Sequence, residues 1–237
     1  MLRSIKQLYG DKLGASDGEI GHVKDFYFDD QNWVVRYVVV DTGSWLPGRQ
    51  VLISPHAFGS LDQAGKVLSV SLTRKQIEAS PAIELHKPVS RQYEEQYHRY
   101  YGWPPYWEGN ALWGMSGFPI AELAPAPVPI APAPGTAGSP DKGDAHLRSA
   151  QAVNGYHLGA RDGMIGHLCD FLMDPQSWAF RELVIKTGNR FSGHELQIPT
   201  SRVERISYEK SMVSVSLTIE EVEKSPAYHL AAAAVAD

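Results

Sequence analysis

Apolar and polar positions alternate in short runs along this chain, and the runs come in a repeating order. Glu19 to Phe28 is a run with apolar residues on both faces, and Trp33 to Asp41 is a second, rich in valine and aromatics. Each reads as a strand. Between them, Asp29-Asp30-Gln31-Asn32 is a turn by composition, and Asp17-Gly18 is a hairpin signal just before the first run. Gln50 to Ser54 and Lys66 to Leu72 are two further short strands. Thr73-Arg74-Lys75-Gln76 then has the spacing of a capping box, so a short helix should start there. It must stop near Ser80-Pro81, because proline disfavours helical backbone in the residue before it.

The same order returns 145 positions later, with Leu2-Arg3-Ser4 matching Leu147-Arg148-Ser149. Asp17-Gly18, Ile20-Gly21-His22 and Asp25-Phe26 match Asp162-Gly163, Ile165-Gly166-His167 and Asp170-Phe171. Trp33, Arg36 and Thr42-Gly43 match Trp178, Arg181 and Thr187-Gly188. The capping box returns as Thr218-Ile219-Glu220-Glu221, and Ser80-Pro81-Ala82 as Ser225-Pro226-Ala227. No gap is needed from Leu2 to Leu85, and roughly two positions in five are identical, against roughly one in fifteen by chance. The chain is a tandem duplication with an insert. The pattern divides it into copy 1 (1–86), an insert (87–146), copy 2 (147–231) and a tail (232–237). The fold class expected is mainly β: each copy a small β-barrel or sandwich, closed by a short C-terminal helix. A unit of this length is marginal alone, so the copies are expected to pack as a pseudo-twofold pair.

The insert changes the picture. Its first part carries Tyr93, Tyr97, Tyr101, Trp103, Tyr106, Trp107 and Trp113. Ser90 to Tyr101 has helical spacing, with Tyr93, Tyr97 and Tyr101 on one stripe. Two readings stay open. The rings cover barrel surface, or they form a partner-binding patch of the kind that makes interface hot spots. Proline and alanine alternate from Ala124 to Gly143, which reads as an extended linker.

Charge and composition mainly exclude. The net charge is −5 with no basic cluster, so direct nucleic-acid binding is not expected. Cys169 is the single cysteine, so no intrachain disulfide forms. It takes the place of Lys24 in copy 1, and nothing marks it as reactive. No apolar run reaches the length of a membrane span, and no signal-peptide pattern opens the chain, so a cytoplasmic location is expected, with membrane contact only through a partner. No phosphate loop, dinucleotide fingerprint or catalytic triad order occurs, so neither cofactor nor catalytic residue is expected. His22 and His167 recur in the two copies and read mainly as structural. A minority alternative makes them, with Asp25 and Asp170, a metal, ligand or catalytic site in a cleft between copies. Asp25 with Arg36, and Asp170 with Arg181, recur on adjacent strands. A partly buried arginine needs a carboxylate or carbonyl partner, and an Asp–Arg pair is expected to close one end of each barrel.

The run Asp17-Gly18-Glu19-Ile20-Gly21-His22-Val23-Lys24-Asp25-Phe26, followed by the strand from Trp33 to Asp41, resembles the PRC-barrel family. That family includes the cytoplasmic domain of the photosynthetic reaction centre H subunit and the C-terminal domain of the ribosome maturation factor RimM. The resemblance covers both copies. It implies a strongly bent small barrel that serves as a non-catalytic interaction or scaffold module. The partners implied are proteins of a membrane electron-transfer complex or of an RNA-processing assembly. A homo-oligomer is compatible with the pattern.

Overall fold

Asp17 and Asp162 show how local chemistry ties each copy together. In the computed structural model each sits in the hairpin turn predicted for it, and each also accepts a hydrogen bond from the first residue of the later helix. Arg74 N–H donates to Asp17 at 2.7 Å, and Ile219 N–H to Asp162 at 2.8 Å. One aspartate thus fixes both a turn and a helix start. The structure describes residues 1–58, 67–81, 91–120, 147–188 and 193–229. The proline-rich stretch and the tail lie outside these residues.

The chain is mainly β with few helices. Copy 1 contributes β1 (Arg3–Ser4), β2 (Lys12–Ala15), β3 (Gly18–Asp29), β4 (Val34–Asp41), β5 (Gln50–Ile53), β6 (Val67–Ser69) and helix α1 (Arg74–Glu78). The insert contributes α2 (Arg91–Tyr101). Copy 2 contributes β7 (Leu147–Ser149), α3 (Ala150–Val153), β8 (His157–Ala160), β9 (Gly163–Met173), β10 (Phe180–Thr187), β11 (Glu195–Pro199), β12 (Val203–Ser207), β13 (Met212–Val215) and α4 (Ile219–Glu223). Both capping boxes form as the spacing requires: Thr73 and Thr218 accept from the amides of Gln76 and Glu221, whose side chains reach back to the cap amides. Each threonine contributes about 1 kcal/mol to its helix.

Two sheets result, with strand orders β5-β4-β3-β2-β6 and β11-β10-β9-β8-β13-β12. In both, the hairpins are antiparallel and one pairing, β2 with β6 or β8 with β13, is parallel. The core of the first sheet holds Phe26, Phe28, Val38, Val40 and Ile53, all fully buried. That of the second holds Leu168, Phe171, Leu183, Ile185 and Ile198.

The compact units do not coincide with contiguous stretches of chain. Unit 1 takes Gln7–Ala150 together with Asp174–Ala179. Unit 2 takes Leu2–Lys6, Gln151–Met173 and Phe180–Asp237. The first strand of each copy therefore belongs to the sheet built by the other. In unit 2, β1 pairs with β9, Ser4 opposite Leu172. In unit 1, β7 pairs with β3, Ser149 opposite Tyr27. Given the repeat, these are the same register.

Gly21 and Gly166 occupy one repeat position for a steric reason. A Cβ on Gly21 would lie 2.0 Å from the Asp41 carbonyl oxygen, and on Gly166 2.1 Å from that of Lys186. Gly21 also has φ of 151°, which side-chain-bearing residues rarely adopt. Gly21→Ala is expected to cost about 1–3 kcal/mol by forcing β3 from β4. Denaturant titration of the full chain checks this, and an unchanged midpoint would contradict it.

Candidate functional site

The β3–β4 and β9–β10 turns each hold a tryptophan in the left-handed region. Trp33 and Trp178, equivalent in the repeat, both have φ of 57°. A bulky residue in the left-handed region costs on the order of 1–3 kcal/mol and persists only where its surroundings hold it. The hold comes from aspartate. Asp29 accepts from the amides of Gln31 at 2.8 Å and Asn32 at 3.2 Å, and from the Asn32 side-chain amide at 2.9 Å. Asp174 accepts from the Gln176 amide at 3.1 Å and the Ser177 hydroxyl at 2.6 Å. Within unit 1, Trp178 packs on Phe58 with ring centroids 4.9 Å apart, and the Trp113 indole donates to the Ser177 carbonyl at 2.9 Å.

Asp29 is also the partner of Arg36, whose guanidinium lies 3.1 Å from its carboxylate and is 2 % exposed. The sequence had pointed to Asp25. The register explains the change. A bulge between Tyr27 and Phe28 brings Asp29 opposite Val34 and leaves Asp25 opposite Val39, beyond the reach of Arg36. Asp25 accepts from the Ser149 hydroxyl of β7 and the Phe26 amide. In unit 2, Asp170 likewise accepts from the Ser4 hydroxyl, from Lys6 N–H at 3.1 Å and from Phe171 N–H at 2.8 Å. Arg181, at a bulge between Phe180 and Glu182, is exposed. Burial raises the Asp170 carboxyl above its ordinary value, with the Ser4, Phe171 and Lys6 hydrogen bonds opposing. Both aspartates hold exchanged strands.

Around Arg36 the insert builds a buried aromatic and charged cluster. The Arg36 guanidinium donates to the Leu112 carbonyl at 2.6 Å and lies 3.8 Å from the Tyr106 ring centroid and 5.1 Å from that of Trp113. Its neighbour Tyr37 points to α2. Tyr37 O–H donates to Glu94 at 2.9 Å, Tyr106 O–H donates to the same Glu94 oxygen at 2.7 Å, and His98 Nε2 lies 3.2 Å from the Tyr37 oxygen. His98 Nδ1 faces the Pro104 carbonyl at 3.0 Å, and a carbonyl only accepts, so Nδ1 carries the hydrogen. Burial and the Glu94 charge push the Tyr37 hydroxyl well above its ordinary value.

His56 completes the cluster. It is 2 % exposed, stacks near Trp103 and meets the Trp113 ring edge-on at 4.9 Å. Its Nδ1 donates to the Ile120 carbonyl at 3.1 Å. Burial, with the Arg36 charge adding to it, lowers its pKa to about 4, so the ring is neutral at physiological pH.

The insert residues singled out in the sequence are placed as follows. Tyr97, Tyr101, Trp103, Tyr106 and Trp113 are buried in unit 1, and Tyr93 and Trp107 are half-buried. The hydroxyls of Tyr93 and Tyr97 donate to the carbonyls of Pro81 and Leu52. The stripe from Tyr93 to Tyr101 covers the sheet. Glu94, His98 and His56 did not stand out in the sequence. The available signal was Glu94-x-x-x-His98, four apart beside that stripe, together with an arginine inside a valine strand.

His22 is exposed on β3 and His167 half-buried on β9. Among the described residues no three His, Cys, Asp or Glu side chains converge to hold a metal ion. Burial, and then the Glu195 charge, push the Cys169 thiol up to about 12, so the protonated thiol prevails at neutral pH. No helix among the described residues is long and apolar enough to cross a membrane.

Two comparisons with known proteins bear on these features. A stretch of 99 residues is 29% identical to an uncharacterized protein of Deinococcus radiodurans, covering 36% of this chain and 35% of that protein. The chain thus spans about a third of the length of that relative. Residues 4–82, from within β1 to just past α1, match the PRC-barrel domain, and the resemblance read from copy 1 is supported over that stretch.

Proposed function

We propose that this chain is a non-catalytic protein-interaction module of the PRC-barrel type, acting in the cytoplasm as a scaffold. The match of residues 4–82 to that domain carries the reading. The cluster geometry supports it. Arg36, Tyr37, Glu94, His98 and Tyr106 bind one another, Asp29 or the insert backbone, and all are buried, which supports a structural role for them. Among the described residues, the exposed large apolar side chains of the insert lie past Trp113: Met115 is 93 % exposed, Phe118 52 % and Ile120 55 %. They are the surface offered to a protein partner. The resemblance directs the search to membrane electron-transfer complexes first and RNA-processing assemblies second, and the net charge of −5 weighs against direct RNA contact.

The test is affinity capture with the tagged full chain from native extract, membrane and soluble fractions kept apart. A Met115→Asp/Phe118→Asp variant runs beside it. Truncating the buried tryptophans would damage the fold instead of the surface. A stoichiometric protein is expected with the wild type, falling about tenfold with the variant at unchanged thermal midpoint. Its fraction tells the two assemblies apart. No stoichiometric protein in either fraction would count against the reading and direct attention to small ligands and metals.

A further inference from the structure

The reciprocal strand exchange carries an inference that is independent of any other partner. Two donor segments share the sequence Leu-Arg-Ser: Leu2-Arg3-Ser4 and Leu147-Arg148-Ser149. Two acceptor edges take them in one register. Ser4 faces Leu172 on β9 and Ser149 faces Tyr27 on β3, and these acceptor positions are themselves equivalent in the repeat. The chemistry of the latch is also the same. Each serine hydroxyl donates to a buried aspartate of the Asp-Phe pair, Ser4 to Asp170 and Ser149 to Asp25. Arg148 Nε adds a bond of 2.6 Å to Asp30.

Each donor therefore fits its own acceptor equally well on a second molecule, Leu147-Arg148-Ser149 on β3 and Leu2-Arg3-Ser4 on β9. A swap between molecules makes the same contacts as the swap within one, so it loses no bonding. The donors are short, with β1 pairing through Arg3 and Ser4 and β7 through Leu147 to Ser149, so releasing one breaks few hydrogen bonds. A vacated β3 or β9 edge presents unpaired backbone and a buried carboxylate, which a second Leu-Arg-Ser strand satisfies. We infer that the edges at Tyr27–Asp29 and Leu172–Met173 are strand-acceptor sites for the Leu-Arg-Ser segment of a second copy of this chain. Strand exchange links copies into homo-oligomers.

The experiment uses full-length chains with Cys169→Ala, so that each carries one introduced thiol. One has Arg148→Cys on the donor, the other Asp30→Cys beside the acceptor. They are mixed at high concentration, treated with a short bis-maleimide and separated on a denaturing gel. Cross-linked dimer at about tenfold the level given by either variant alone is expected, because only exchange brings residue 148 of one molecule to residue 30 of another. No excess in the mixture, with both variants showing native circular dichroism, would overturn the inference. Should a variant misfold, light scattering on the wild-type chain decides. Mass rising toward twice that of one chain with concentration supports exchange, and one-chain mass throughout overturns it.

Discussion

Asp29→Ala is expected to destabilise unit 1 by about 3–5 kcal/mol, because it leaves the Arg36 guanidinium buried without its carboxylate. The remaining acceptor for Arg36 is the Leu112 carbonyl, with the Tyr106 and Trp113 rings beside it. The same change frees the turn amides of Gln31 and Asn32, just before Trp33 with its positive φ. Arg36→Met should cost much less. Asp29 then keeps its turn hydrogen bonds, and a methionine of similar length fills the cluster without a charge to solvate. The double variant should recover most of the ion-pair share of the Asp29→Ala loss, leaving the turn's share. Thermal melts of the four proteins form the cycle. Additive losses would show that Asp29 and Arg36 do not depend on each other.

Acid should weaken unit 1 through His56. Its folded pKa, about 4, lies below the ordinary 6.5, so the unfolded chain binds the proton first. The stability from keeping the ring neutral is complete above about pH 6.5 and is lost as pH falls from there to 4. The loss totals about 3 kcal/mol. The ring is enclosed by Trp103, Trp113 and His98, with Arg36 as the nearby cation, so among the described residues a proton on it has no anionic partner in contact. His56→Phe keeps a ring in the aromatic stack and removes the titration. Its stability should fall less between pH 6.5 and 4 than that of the wild type, by about that amount. Equal slopes for the two proteins would sink the assignment.

Much of the fold was legible because the signals were local. A capping box needs four residues, a hairpin turn two, and a strand its own alternation, so these elements appear where the pattern puts them. The repeat doubled every such signal. The Arg36 partner was not legible, because a bulge resets which residues face each other, and no residue type marks a bulge between Tyr27 and Phe28. The candidate site was half legible. The Tyr93 stripe was visible as spacing on α2, whereas the pairing of Glu94 and His98 with Tyr37 depends on where α2 lies on the sheet. The exchange of β1 and β7 was present as the repeated Leu-Arg-Ser. Sequence identity says only that the two segments are alike, not which edge each one takes.

That exchange bears on how the chain is made. Unit 1 is completed by residues 147–150 and 174–179, and unit 2 by residues 2–6. A nascent chain that has emerged only as far as the insert has the β3 edge and Asp25 without Ser149, so the first half cannot finish before the second. Its N-terminal strand must meanwhile wait for β9, about 170 residues downstream. Contacts of such long sequence separation are slow to close. Synthesis therefore passes through a stage in which both an edge and a loose strand are on offer, and polysomes crowd such stages together. Completion of unit 1 is set by translation past residue 179, and crowding before that point favours pairing between neighbouring nascent chains.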